Sequence, residues 1–310
     1  MTEEEMSNSK FVDFFHNWVM DNKRGSIRNI TLDKYKSTEK NLREIAPDVL
    51  LKDIDRRTYQ DIINKYAETH EKVTTTGFHH HLKACLMDAF DDGIIQKNPT
   101  RKVVLKGKKP ANKKKKYLSQ EELEKLLKVL DLQNGINDDW LIMLVAKTGL
   151  RYEEVLGLTV RDFDFEKMEL NIDKTLDYKK TQKFDLTKNE SSVRKVKIDW
   201  KTAMMFSNIL KDLKPDKRIF DYRNIMYNST INAHLKRKCE EAGITVITLH
   251  GLRHTHASVL LYNGVSVSSI AKRLGHSSTE TTQKVYLHLI DEMQVKDEKK
   301  IMSTMMEIDY

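Results

Sequence analysis

The sequence predicts a mainly α-helical protein of two domains with one small antiparallel β-sheet, and three observations support this. The chain has 310 residues, which is long for one compact core. Apolar residues recur at helical spacing through most of it, whereas residues 162–198 alternate and contain the polar breaks of short strands. A segment at 106–119, KGKKPANKKKKYLS, holds seven lysines and separates the two parts.

Composition narrows the class of protein. Apolar residues make up 39% of the chain, enough for two cores, and the net charge of +8 favours a polyanionic partner. Cys85 and Cys239 lie far apart without the spacing of a metal site, so two reduced thiols are expected. No apolar run approaches the roughly 20 residues of a membrane span, and the polar start MTEEEMSNSK does not resemble a signal peptide. We therefore expect a cytoplasmic protein with no membrane partner.

Four helices are predicted in the first domain, residues 1–105. The first carries aromatic residues at helical spacing from Phe11 to Trp18. Thr31 is predicted to cap the second, and Pro47 to set its end. The other two are expected at about 55–69 and 73–92. Helices of this length with short connections predict a small bundle.

The lysine-rich segment is predicted to be an interdomain linker over 106–118. It is either a solvated loop or a strap along phosphate groups, and its single sign of charge favours the strap. The candidate phosphate-binding residues are Lys106, Lys108, Lys109, Lys113, Lys114, Lys115 and Lys116.

The second domain, residues 119–310, begins with a helix start signal. Ser119 and Glu122 have the spacing of a capping box. Further helices are expected at about 136–148 and 152–159, followed by about three strands within 162–198. From Trp200 onward the pattern is helical again.

One stretch of this domain, LHGLRHTHAS at 249–258, gathers an arginine and three histidines. His250 and Arg253 are three residues apart and share a helix face, with Thr248 placed to cap that helix. The motif is compatible with a metal site, with an ordinary polar helix start and with a phosphate pocket. The metal reading lacks support because Gly251 stands where an HExxH pattern needs glutamate.

Three other positions could join this motif. Arg151 follows the helix-breaking Gly149 in TGLRYEEVLGL, with Glu154 on its face. His276 follows Gly275 in LGHSS, and Tyr286 lies in TTQKVYLHL. Taken singly, these would be a surface ion pair, a loop histidine and a packed aromatic residue.

Taken in order, the motifs resemble the tyrosine recombinase (phage integrase) family. The matching strings are TGLRYEEVLGL, TLHGLRHTHASVLL, IAKRLGHSS and TTQKVYLHL, and the resemblance covers residues 119–290. It is greatest to integrases of phages and conjugative transposons of Gram-positive bacteria. It implies a two-domain clamp, with a helical core-binding (SAM-like) domain and an α+β catalytic domain. The implied function is site-specific recombination through a covalent 3′-phosphotyrosine link.

The resemblance also implies roles for the residues. Arg151 and Arg253 would bind the phosphate, with His276 beside them. Tyr286 would attack the phosphorus, and His250 would accept its proton. A lysine would donate a proton to the departing oxygen. An acidic residue, Glu154, would support the site. The lysine matches Lys188 in DLTKNESSVRKVKI, with Lys195 as the less favoured alternative. The implied catalytic set is Arg151, Lys188, His250, Arg253, His276 and Tyr286, and no metal, ATP or other cofactor is required.

The implied partners are double-stranded DNA at core recombination sites and three further copies of the chain in a homotetramer. Accessory partners would be an excision factor or a host DNA-bending protein, acting at the bacterial nucleoid. The alternatives are an Xer-like dimer resolution recombinase, a type IB topoisomerase-like strand transferase, and a DNA-binding protein without activity. Many integrases carry an extra N-terminal arm-binding domain, so this chain either recombines simple sites or is shortened. The segment after Tyr286 would dock on a neighbouring subunit or on its own domain.

Overall fold

The computed structural model describes residues 3–109, 117–187, 190–221, 227–280, 282–283 and 306. The chain forms two compact units, Met1–Lys113 and Lys114–Tyr310. Each unit has its own hydrophobic core. Helices dominate both, which confirms the predicted mainly α class with a small antiparallel β component. No helix in the described part of the chain combines the length and apolar character that crossing a membrane requires.

The first unit is a helical bundle. Its core is built from aromatic and aliphatic residues, among which Phe11, Phe15 and Tyr59 are completely buried. The aromatic stripe predicted from Phe11 to Trp18 therefore faces this core. The helices are α1 (Glu3–Ser7), α2 (Phe11–Asn22), α3 (Asn29–Ile45), α4 (Arg56–Ala67) and α5 (Lys72–Asp91).

The predicted helix starts in this unit are only partly right. Asp55 caps α4, since its carboxylate accepts a hydrogen bond of 2.7 Å from the amide of Thr58. Thr31 does not cap α3. The backbone of Arg28 is already extended at the cap position, so the helix begins at Asn29 and the amide of Thr31 donates to the carbonyl of Arg28. Arg28 occupies the N-cap position without a capping hydrogen bond from its side chain. The prediction that Thr31 caps this helix is therefore wrong.

The residues that lead into the predicted linker, and its beginning, lie against the first unit. Gln60 exchanges two hydrogen bonds of 2.9 Å with the backbone of Val104. The amide of Lys108 donates to the carbonyl of His70 over 2.8 Å. At the other end of the linker, Leu118 is buried in the second unit and its amide donates to the hydroxyl of Thr255.

The second unit contains the remaining elements. Ser119 and Glu122 form the predicted capping box at the start of its first helix. The helices are α6 (Gln120–Lys128), α7 (Asp138–Thr148), α8 (Tyr152–Leu156), α9 (Trp200–Leu210), α10 (Asn228–Glu241), α11 (Leu249–Tyr262) and α12 (Val267–Leu274). The strands are β1 (Phe163–Asp164), β2 (Glu169–Ile172), β3 (Lys174–Leu176), β4 (Phe184–Leu186) and β5 (Arg194–Lys197).

The strands form two antiparallel sheets, one in the order β1-β2-β5 and one made of β3 and β4. The expected single sheet of about three strands is thus an undercount, because a hairpin that pairs with itself is inserted between β2 and β5. Burial alternates along β5, with Arg194 and Val196 facing inward and Lys195 and Lys197 facing solvent.

Candidate active site

The turn between α7 and α8 requires a glycine. Gly149 ends α7 with a φ of 71°, in the left-handed region that glycine adopts without strain. A Cβ atom at this position would lie 2.8 Å from side-chain atoms of both His256 and Leu274. Arg151 follows as the N-cap residue of α8. Close packing at Gly149 therefore fixes where the first predicted arginine leaves the backbone.

A buried carboxylate holds Arg151. The side chain of Glu154 is 1% exposed and accepts a hydrogen bond of 2.7 Å from Nη1 of Arg151. A second N–H of the Arg151 guanidinium donates to the carbonyl of Gly275 over 3.0 Å. The Arg151 guanidinium is thus oriented from two directions, and the supporting role of Glu154 in the reaction stays a prediction.

Arg194 is the residue that sequence reasoning missed. Its side chain is 5% exposed and forms two hydrogen bonds of 3.0 Å with the two carboxylate oxygens of Glu154. Its Nε atom donates to the carbonyl of Arg273 over 2.7 Å. Burial would raise the pKa of the Glu154 carboxyl, but hydrogen bonds and charge from Arg194, with help from Arg151, hold it below its usual value.

A signal for Arg194 is present in the sequence. The alternation of the strand places Arg194, Val196 and Ile198 on one face, and two of these residues are apolar. An arginine on an inward face needs a buried acidic partner. The sequence alone does not show which of the 46 acidic residues provides it.

The helix α11 presents the second predicted group. Thr248 caps it as expected, because its hydroxyl accepts a hydrogen bond of 3.1 Å from the amide of Gly251. Arg253 is 3% exposed and donates to the carbonyls of Gly149 and Leu274 over 2.6 and 2.7 Å. His250 lies on the exposed side. Partial burial lowers the pKa of His250, and the charges of Arg253 and Arg151 lower it further, which favours the neutral imidazole at pH 7.

His276 lies beside Arg253. One N–H of the Arg253 guanidinium donates to Nε2 of His276 over 3.1 Å, and Nδ1 of the same ring is 2.7 Å from the hydroxyl of Thr282. Because the guanidinium can only donate, Nε2 accepts and the proton of the neutral ring is on Nδ1. Burial lowers the pKa of His276 to about 4, with contributions from Arg253 and Arg151.

The three histidines of the motif have different environments. His256 is buried, its Nδ1–H donates to the carbonyl of Ala146 over 2.9 Å, and its Nε2 accepts from Nε of Arg273 over 2.9 Å. The ring of His254 meets that of His250 edge to face, with the centroids 4.6 Å apart. Among the described residues, no group of three or more potential metal ligands is brought together. Of the three, His250 is the exposed imidazole near the arginines, His254 is half-buried against it, and His256 is buried and packs the fold.

Acid should destabilise the second unit through His256 and His276. Burial, with Arg273 nearby, lowers the pKa of His256 to about 3, compared with 6.5 for an ordinary histidine. The unfolded chain binds these protons near pH 6.5 and the folded chain only near pH 4 or below. The stabilisation is therefore fully present above pH 6.5 and is lost as the pH falls. At about 1.4 kcal/mol per pH unit, His256 accounts for roughly 3 kcal/mol between pH 6.5 and pH 4.

Urea unfolding measured between pH 4 and pH 7 tests this prediction. In a His256→Gln variant, the amide can still donate to Ala146 and accept from Arg273, but it does not titrate. The variant should show a flatter dependence of the unfolding free energy on pH. An unchanged slope would contradict the assignment to His256.

Three of the predicted catalytic residues line one pocket of about 210 Å³. Arg151, His250 and Arg253 contribute to its wall, and Tyr152, Tyr178 and Asn228 complete much of the rest. His276 adjoins it through Arg253. Two arginines and one carboxylate, that of Glu153, line the pocket, so its net charge is positive and suits an anion such as a phosphate.

The other predicted site residues are not all described. Lys188 and Tyr286 lie outside the described residues, as do Lys113, Lys114, Lys115 and Lys116 of the linker. Lys106, Lys108 and Lys109 are exposed. Lys195 is on the outward face of β5, and its ammonium nitrogen is 4.0 Å from Glu169.

Comparison with known proteins identifies the family. The profile of the phage integrase family matches residues 116–293, more than half of the chain, and that of the phage integrase SAM-like domain matches residues 10–108. The chain belongs to the phage integrase family. It is thus a tyrosine recombinase, as its motifs predicted, and the predicted enzyme class, site-specific recombinase, is confirmed.

Several relatives of this integrase family member are similar over most of their length. The integrase of Staphylococcus phage L54a is 27% identical, covering 90% of this chain and 88% of its own. The ICEBs1 integrase of Bacillus subtilis is 27% identical, covering 81% and 72%. The structure of the Tn1549 transposon integrase in complex with transposon right end DNA superposes with a TM-score of 0.76 at 19% identity, covering 94% and 99%. The last similarity concerns the fold alone.

Proposed function

We propose that this recombinase cleaves and rejoins DNA through a covalent 3′-phosphotyrosine intermediate and thereby integrates and excises a mobile element. The observation that carries the proposal is the shared pocket of Arg151, His250 and Arg253, with His276 hydrogen-bonded to Arg253. These residues come from three separate stretches of the sequence. The names of the phage and ICEBs1 integrases support the biological role.

The arginines would stabilise the reacting phosphate. Attack on a phosphodiester increases the negative charge on its nonbridging oxygens, and fixed donors aimed at those oxygens lower the barrier. Arg151 is held by Glu154 and Gly275, and Arg253 by Gly149 and Leu274, so neither must be ordered when DNA binds. His276 would donate a hydrogen bond to the phosphate once its Nδ1–H leaves the hydroxyl of Thr282.

Tyr286 would be the nucleophile. Its phenol oxygen forms a bond to phosphorus, and the bond from phosphorus to the 5′-oxygen breaks, so the phosphodiester energy is kept for rejoining. A phenol has an ordinary pKa of about 10 and needs a base. The neutral imidazole of His250 would accept its proton. Lys188 would donate a proton to the departing 5′-oxygen, with Lys195 as the less favoured alternative.

Duplex DNA at a core site would be the substrate. The Tn1549 and lambda integrase structures were determined with DNA, which supports the same partner here. The lysines of the segment 106–116 would contact its phosphates, and this part of the affinity should weaken with salt. We further propose that residues 1–105 form the core-binding domain and 119–310 the catalytic domain. Strand exchange on paired sites would require a tetramer, with accessory DNA-bending factors, at the nucleoid of a bacterial cell.

Covalent trapping tests the proposal. The protein is incubated in EDTA with nicked duplexes that span the joined ends of its encoding element, and adducts are separated on a denaturing gel. We expect a protein–DNA adduct with the wild type and none with Tyr286→Phe. Tyr262→Phe, which changes an exposed tyrosine on α11, is the matched control and should retain the adduct. An adduct that persists in Tyr286→Phe would overturn the assignment of the nucleophile.

A further inference from the structure

The pocket contains an amide side chain that none of the sequence motifs includes. Asn228 is the first residue of α10 and lines the same pocket as Arg151, His250 and Arg253. It is half-buried. Its position in the pocket makes it a candidate for contact with whatever the arginines bind.

A chain of hydrogen bonds fixes the orientation of this amide. The backbone N–H of Leu249 donates over 2.7 Å to Asn232, so the atom of Asn232 at that point is its oxygen. The amino group of Asn232 consequently points the other way and donates over 2.8 Å to Asn228. The atom of Asn228 that accepts is therefore its oxygen. The amino group of Asn228 is the remaining end of the side chain, and it forms no hydrogen bond to another described residue.

We propose that Asn228 donates a hydrogen bond to a nonbridging oxygen of the phosphate that Arg151 and Arg253 bind. This inference rests on the proposed function and adds a residue to the reaction. Asn228 supplies a neutral donor, which adds no further repulsion among the closely spaced cations of the pocket. Its contact strengthens as charge accumulates on the phosphate oxygens, so its effect falls on the rate more than on binding.

Asn232 is a positioning residue in this scheme. It does not line the pocket, and it acts by holding the Asn228 amide in one of its two orientations. An aspartate at position 232 can still accept from Leu249, but its second oxygen would face the oxygen of Asn228. The Asn228 amide should then turn over, pair its amino group with the new carboxylate and present its oxygen to the phosphate.

Single-turnover adduct formation on the nicked duplex, at saturating protein, tests the proposal. Asn228→Ala should lower the rate at least tenfold, with less than a threefold change in DNA affinity. Asn228→Asp keeps the acceptor for Asn232 and hence the fold, but places a negative charge at the phosphate, and it should lower the rate more than a hundredfold. Asn208→Ala, at an exposed position on α9, is the matched control and should have the wild-type rate.

The variant Asn232→Asp tests whether the orientation of the Asn228 amide affects the rate, as distinct from its presence. We expect Asn232→Asp to lower the rate of adduct formation at least tenfold. Adding Asn228→Ala to this variant should lower the rate by less than a further threefold, because the Asn228 amide has already turned its amino group away from the phosphate. A wild-type rate in Asn228→Ala or Asn228→Asp overturns the proposal, and full additivity of the two changes overturns the role of Asn232. If the wild type itself forms no adduct, the proposed function fails instead, which is a different result from a normal adduct in the Asn228 variants.

Discussion

Replacing Glu154 by alanine is expected to destabilise the second unit by about 3–5 kcal/mol, the usual effect of removing one partner of a buried ion pair. The Glu154 carboxylate is 1% exposed and forms hydrogen bonds with both Arg194 and Arg151. Without it, the guanidinium of Arg194 stays in the interior with no carboxylate beside it. Hydrogen exchange of the α7 amides measures the loss within this unit.

Two further variants make the result specific. Glu166→Ala removes an exposed carboxylate from the same unit and should change the free energy of unfolding by less than about 0.5 kcal/mol. Arg194→Met in the Glu154→Ala background removes the unpaired charge and should restore part of the stability. A loss below about 1 kcal/mol in Glu154→Ala would contradict the interpretation of this carboxylate as the link between the two arginines.

The same cluster shows what a sequence can predict. The boundaries around Gly149, Thr248 and Gly275 were predictable because glycine and capping residues act on the backbone next to them. The contact of Glu154 with Arg194 joins residues 40 positions apart, and its geometry depends on how β5 packs. Local patterns do not contain that information. Asn228 and Asn232 are four residues apart on α10 and share a helix face, but the sequence does not show that Asn228 lines the pocket.

The order of the motifs carried more information than any one of them. Arg151, His250, Arg253 and His276 each had an ordinary explanation, and the structure gives each a place in or beside one pocket. His256, which belongs to the same short motif as His250, instead packs beneath Gly149. Residue type and spacing could not separate these two histidines, because both positions are compatible with a polar helix start.

Arg151→Lys is expected to slow adduct formation by about a hundredfold to a thousandfold, the range found when one fixed donor to a developing oxyanion is removed. Lysine keeps the charge and can still pair with Glu154, so the fold and most of the DNA affinity should remain. It lacks the planar fork, however, that lets arginine contact Glu154, the carbonyl of Gly275 and a phosphate at the same time.

The matched control is Arg161→Lys. Arg161 is exposed, and its guanidinium is 3.0 Å from the carboxylate of Asp216. The variant makes the same chemical change in the same unit and should leave the rate of adduct formation unaltered. A rate within threefold of the wild type in Arg151→Lys would show that charge alone suffices at this position. Glu154 would then contribute to stability alone. Its orientation of the Arg151 guanidinium affects the reaction only if the directed hydrogen bonds of that guanidinium to the phosphate affect the rate.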